Sequence, residues 1–266
     1  MSIRLISLIS ALFLVGGCSS RSQDFSKYSH FIYGITSAKS TSSGVFFLVK
    51  RDTTIYFVTA AHVVNGWNPI SNEPEANWTD TLFLRFITQN GDFKFLRIST
   101  KKIREEAVKQ PYYKTPDFYI ARISLPSDIV VESLDSLMDT SNSKINPVST
   151  FFYGFPGRKY HSIQEMQQLS PVETFGTPYS DLRAPIRLSQ GGIDYINIYF
   201  SMDNAATTGF SGAPVFLKDA NGTPCFGGIC FGGTETTHLA LVVRPNFIIN
   251  ATRKNPDSIP YLLVFE

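Results

Sequence analysis

Two short stretches of this chain carry residue types that can activate a nucleophile. In Thr59-Ala60-Ala61-His62-Val63-Val64 a histidine follows an apolar, β-branched run and two alanines. Side chains that small leave room for an imidazole to sit over a cleft while it is packed from behind. In Gly209-Phe210-Ser211-Gly212-Ala213-Pro214-Val215-Phe216 a serine is flanked by glycines, whose backbone freedom permits a tight turn that presents the hydroxyl. The same freedom lets the N–H groups of Gly209 and Ser211 converge on one point, which is how an oxyanion hole is built. A serine hydroxyl needs an adjacent base to attack a carbonyl, and histidine is the side chain suited to that near neutral pH. Each stretch alone is ordinary, since histidines after strands are commonly structural and Gly-x-Ser-Gly is a common loop. Together they point to acyl transfer through a serine. Of the other histidines, His30 lies near the N-terminal tail, and His161 and His238 lie in polar loops.

Such residues must be held by a scaffold, and the chain reads as mainly β. From Phe31 onward, short runs rich in β-branched and aromatic residues are divided by Gly, Asn, Asp and Pro. They span Gly44 to Val49, Ile55 to Thr59, Thr81 to Thr88, Phe93 to Ser99, Phe118 to Ser124, Thr150 to Tyr153, Tyr195 to Phe200, Val215 to Leu217, Phe226 to Phe231 and Leu239 to Val243. A series of this kind signals a sandwich or barrel. Asn90-Gly91 and Asn221-Gly222 have hairpin-turn chemistry. Helical periodicity is confined to the end, from Arg244 to Thr252. The polar stretch from Pro126 to Ile145 is the expected junction between two halves. A second polar excursion, Arg158 to Gly192, is expected to be a regulatory or specificity loop.

The order Thr-Ala-Ala-His, then Gly-x-Ser-Gly-x-Pro, resembles the trypsin-like serine peptidases. The resemblance covers most of residues 40 to 245. Ser43-Gly44-Val45-Phe46-Phe47 is similar to the strand ahead of that family's histidine, and Tyr153-Gly154-Phe155-Pro156 to a strand early in its second barrel. It implies an all-β fold of two six-stranded antiparallel β-barrels with a short C-terminal helix, the first barrel at about 31–130 and the second at about 146–250 of a peptidase domain over 31–266. It further implies His62 as base, Ser211 as nucleophile, and an aspartate between them at the head of a strand. Asp117, before Phe118-Tyr119-Ile120-Ala121-Arg122-Ile123, fits that place better than Asp80 or Asp92, although Tyr119 stands where the family usually has Ala. Gly209 and Ser211 would supply the oxyanion hole, and Ala205, Cys230, Phe231 and Gly232 would line the substrate cleft. Two positions depart from the digestive members: Phe210 replaces an aspartate that pairs with a freshly cut N-terminus, and Ala205 replaces the aspartate with which trypsin captures Lys or Arg. Cleavage after basic residues is therefore not expected. The activity implied is serine endopeptidase on polypeptide substrates, with no metal or organic cofactor. A noncatalytic binding or assembly module on the same fold, and ester hydrolysis by the same triad, are the alternatives.

Composition fits this class. Of 266 residues, 43% are hydrophobic and 17% charged, far from the signature of disorder. The formal net charge is +2 without a dense basic cluster, so nucleic acid is not an expected partner. Residues 1–17 read as a signal peptide: Arg4, an apolar run from Leu5 to Val15, then Gly16-Gly17 before Cys18. Val15-Gly16-Gly17-Cys18 resembles a bacterial lipobox, which implies lipidation at Cys18, a tether over 18–30, and a protein held on a membrane of the bacterial cell envelope, facing the periplasm or exterior. Cys225 and Cys230, five residues apart along one strand, stand about 16 Å apart and on opposite faces. A disulfide needs Cα atoms within about 7 Å, so two free, buried thiols are expected.

Overall fold

The computed structural model describes residues 24–36, 39–68, 73–74, 79–107, 116–140, 148–156, 168–178, 196–202, 209–234, 239–261 and 265. The first half contains β1 (His30–Thr36), β2 (Lys39–Arg51), β3 (Thr54–Thr59), helix α1 (Ala61–Asn65), a two-residue ribbon of β4 (Trp67–Asn68) and β5 (Glu73–Pro74), then β6 (Thr81–Ile87), β7 (Phe93–Ser99), helix α2 (Lys101–Ala107), β8 (Tyr119–Ile123) and helix α3 (Asp135–Thr140). The second half contains β9 (Ser149–Gly154), β10 (Val172–Pro178), β11 (Ile196–Met202), β12 (Pro214–Lys218), β13 (Pro224–Thr234), β14 (Leu239–Val243) and helix α4 (Pro245–Thr252).

The six long strands of the first half form a sheet in the order β7-β6-β1-β2-β3-β8, and those of the second a closed barrel, β10-β11-β14-β13-β12-β9. Counted within each half, both follow one cyclic order: fifth, fourth, first, second, third, sixth. Every pairing between these strands is antiparallel. The second barrel closes through β13 and β14. Among the described residues the matching seam of the first half, between β7 and β8, is unpaired. The chain beyond β8 bonds instead to the end of β6 and the turn after it, with Val130 N–H donating to Ile87 O and Gln89 N–H to Asp128 O, both at 2.9 Å.

Sequence alternation fails in β2 for a physical reason. Val45 to Val49 are all fully buried, because one face fills the first barrel and the other meets the second. Phe46 lies 5.0 Å from Phe57 and 5.1 Å from Phe86, whereas Phe47 lies 5.7 Å from Phe226 on β13. Aromatic rings bury large areas, and these unite both barrels in one apolar core.

The folded body begins earlier than the expected tether allows. A 3-10 turn over Ser26–Tyr28 leads into β1, and Phe25, Tyr28 and His30 are buried. The Phe25 ring is 5.1 Å from Phe151 and 4.9 Å from Phe216 of the second barrel. The junction contains α3, and part of the expected loop over 158–192 is strand β10. Helix α4 starts with a proline at its first position, where a missing N–H costs nothing. It buries Ile248 and Ile249, and the following chain returns to β8, where Arg122 N–H donates to Pro260 O and Arg122 Nε–H to Ile259 O, both at 2.9 Å. Cys225 and Cys230 are free and buried, and burial pushes their thiols up to about 11 and about 12.

Candidate active site

His62 stands in the first turn of α1, three residues after the end of β3. Gly66, left-handed at φ 66°, stops this helix after five residues, and its N–H donates to His62 O. β3 pairs with β8 so that Thr59 faces Tyr119. Continuing that antiparallel register brings Asp117 alongside Ala61 and His62. Both carboxylate oxygens are then used. Oδ2 lies 2.7 Å from His62 Nδ1, and Oδ1 accepts the His62 backbone N–H at 3.0 Å. A two-point contact fixes the position and rotation of the carboxylate, and an ionised carboxylate, which only accepts, takes this hydrogen bond from an Nδ1–H. The Asp117 side chain is 5% exposed and that of His62 20%, so the carboxylate lies beneath and the imidazole reaches the surface.

Ser211 lies ahead of β12, at the rim of the second barrel, yet it is anchored to the first. Val45 N–H, on β2, donates to Ser211 O at 2.7 Å. Gly44 shows how closely the two parts approach: a Cβ there would lie 2.9 Å from Val63 Cγ1 and 3.0 Å from Ser211 O. Val63 follows His62 directly, so the His62 and Ser211 segments meet across a glycine. Gly212 repeats the device. It has φ 91°, and a Cβ on it would overlap Val45 O and Thr59 Oγ1. Thr59 in turn donates its hydroxyl to Val45 O at 2.6 Å.

The turn itself is held at every carbonyl from Gly209 to Ala213 save that of Gly212. Phe155 N–H donates to Gly209 O, Ala213 N–H to Phe210 O and Cys230 N–H to Ala213 O, each at 3.0 Å, while Gly212 N–H donates to Cys230 O at 2.7 Å. Gly209 has φ 102°. Among the described residues no carbonyl accepts from the Gly209 or Ser211 N–H. The Ser211 hydroxyl makes no hydrogen bond to the imidazole among the described side chains, a contact that often tightens only around bound substrate.

The structure also places the other residues considered. Asp80 accepts from Arg104 at 2.7 Å on the surface, and Asp92 sits in the β6–β7 turn. Cys230, fully buried, runs beside the Ser211 turn. Gly232 is part-exposed, with nothing nearer to an added Cβ than Leu241 at 3.8 Å. Phe231, 4% exposed, belongs to the apolar core at a register shift between Cys230 and Gly232. Ala205, His161, His238 and Cys18 lie outside the described residues. Sequence reasoning did not single out Gly44 as the crossing point or Val45 as the partner of Ser211. A lone glycine ahead of an apolar strand is the available signal for so close a backbone approach.

One strand order repeated in two halves, with His62 and Asp117 on the first and Ser211 at the rim of the second, decides the architecture. This is the two-barrel, trypsin-like fold. No protein-family profile and no curated protein sequence matches the chain. Among solved structures the chain is similar to Deg5, with TM-score 0.47 and 14% identity over 86% of this chain and 88% of that one. It is also similar to the serine endoprotease from Yersinia pestis, with TM-score 0.47 and 15% identity over 87% of this chain and 64% of that one.

Proposed function

We propose that this protein is a serine endopeptidase in which Ser211 attacks, His62 takes its proton and Asp117 orients the imidazole. The observation that carries this reading is the two-point contact of Asp117 with His62, at 2.7 and 3.0 Å, beside a serine turn bonded to the same barrel. Attack by Ser211 Oγ on a peptide carbonyl gives a tetrahedral intermediate whose oxyanion is held by the Gly209 and Ser211 N–H groups. The imidazolium then protonates the leaving amine. Water, activated by the same His62, hydrolyses the acyl-enzyme. Substrate backbone would lie along β13 near Cys230 and Gly232, and the resemblance to trypsin-like peptidases implies that Ala205 also lines the cleft. A small neutral residue there favours uncharged side chains at the scissile bond.

Lipidation of Cys18 would hold the catalytic body at a membrane of the cell envelope, with a short tether up to Asp24. In a bacterial host, Cys18→Ser is expected to move the protein from the membrane to the soluble fraction with peptidase activity intact. Continued membrane association of that variant would remove the anchor from the account.

The peptidase reading is tested with a library of unstructured peptides and matched esters, using wild type and His62→Ala. Cleavage of peptides that is lost in the variant supports it. Ester cleavage alone makes the protein an esterase. Binding of peptides without cleavage of either class makes it a binding module.

A further inference from the structure

The turn that carries Gly209 and Ser211 places one large apolar side chain between them, and its destination is well defined. Phe210 is 3% exposed. Its ring stands on Gly154, the last residue of β9, so closely that a Cβ on Gly154 would overlap ring atoms Cγ, Cδ1 and Cε1. Phe152, two residues earlier on the same strand, presents its ring at 5.5 Å and 86° to that of Phe210. Phe155, the next residue along, donates its N–H to Gly209 O at 3.0 Å. The end of β9 therefore grips the turn twice, once through a backbone bond on Gly209 and once through a ring seated in a slot that only glycine leaves open. A ring so confined has no alternative rotamer in a close-packed interior, and its backbone is fixed with it.

We propose that Phe210 is a positioning residue whose seating on Gly154 fixes the direction of the Gly209 and Ser211 N–H groups, so that the oxyanion hole is set by packing within the second barrel and needs no charge pair. This inference rests on the peptidase reading for its consequence in catalysis, but not for its consequence in structure.

The test uses the full folded chain with Phe210→Leu, Gly154→Ala, Phe210→Ala and the double variant Gly154→Ala with Phe210→Ala. Samples are compared only where thermal unfolding remains cooperative, and Phe210→Leu and Gly154→Ala keep the test open if truncation to Ala prevents folding. On a cleavable peptide, Phe210→Leu and Gly154→Ala are each expected to lower kcat by about tenfold to a hundredfold, the range of a displacement of roughly 1 Å, with KM little changed. In the double variant the added methyl enters the space left by the ring, so the loss is smaller than the product of the single losses. Amide exchange at Gly212 and Ala213 is expected to quicken at least about tenfold in Phe210→Leu, while exchange at Leu48 and Phe57 stays unchanged. A raised KM with kcat intact, losses that simply multiply, or unchanged exchange at Gly212 and Ala213 would each overturn the proposal. An inert wild-type chain would sink the peptidase reading instead, and amide exchange would still decide the role of Phe210.

Discussion

His62 is held by one carboxylate at two points, its ring Nδ1 and its backbone N–H, and this predicts how the site fails when either partner is changed. Asp117→Asn keeps the shape but offers Nδ1 a donor in place of an acceptor on one side, which favours the wrong tautomer. A loss of kcat on the order of ten-thousandfold is expected with little change in folding, measured on a peptide substrate beside a thermal melt. Gly44 tests the approach of the two barrels. A methyl there meets Val63 and the Ser211 carbonyl at about 3 Å, inside ordinary contact. Gly44→Ala is expected to cost about 1–3 kcal/mol of stability and to lower activity together with it, because relief requires Val63, next to His62, or the Ser211 carbonyl to shift. Full activity and an unchanged urea midpoint would show that the crossing is looser than this.

His30, at the start of β1, shows what burial does to a whole strand. It is fully enclosed, stacks on Phe46 at 5.0 Å, and its Nε2 has no hydrogen-bond partner among the described residues. Desolvation, with the nearby Arg85 charge as a lesser cause, lowers its pKa to about 4. Between pH 6.5 and 4 the unfolded chain takes up a proton that the folded one refuses. The stability that His30 contributes as a neutral group is thus present above pH 6.5 and is lost as pH falls toward 4, by roughly 3 kcal/mol in full. Urea midpoints measured across that window are expected to fall more steeply for wild type than for His30→Leu. Equal slopes would contradict the assignment.

His30 also shows where sequence reading stops. Runs such as Phe93–Ser99 and Leu239–Val243 were plain in the sequence because apolar and turn residues bound them sharply. The 13 residues of β2 were read only from Gly44, since Lys39-Ser40-Thr41-Ser42-Ser43 is polar and is made a strand by its partner β1. β10 was missed within a polar stretch for the same reason: its register with β9 and β11 supplies the structure. Helices α2 and α3, short and without apolar periodicity of useful length, gave no signal. The partnership of His62 with Asp117 was readable because motif order does not depend on packing. Gly44, Val45 and Gly154 were not recognised as supports of the Ser211 turn, since their roles exist only once two distant strands touch.

The two halves share two apolar clusters, one from Phe46 and Phe57 in the first to Phe226 and Phe231 in the second, the other from Phe31 and Tyr33 to Phe152 and Phe155. Phe25 and the tail after α4 add straps across them, the latter through Arg122, whose guanidinium carbon lies 3.8 Å from the centre of the Tyr261 ring. A single cooperative thermal transition is therefore expected for the chain. Arg122→Ala should lower its midpoint by a few degrees without splitting it. Two transitions seen by calorimetry would mean that the barrels fold independently.

The claim that an activated serine sits between the barrels is tested most directly by a fluorophosphonate probe. The chain lacking residues 1–18 is treated beside Ser211→Ala, and any adduct is located by mass spectrometry. Labelling at Ser211, absent in the variant and slowed in His62→Ala, is the predicted result. A folded wild-type chain that stays unlabelled, or one labelled elsewhere with Ser211 untouched, would contradict it.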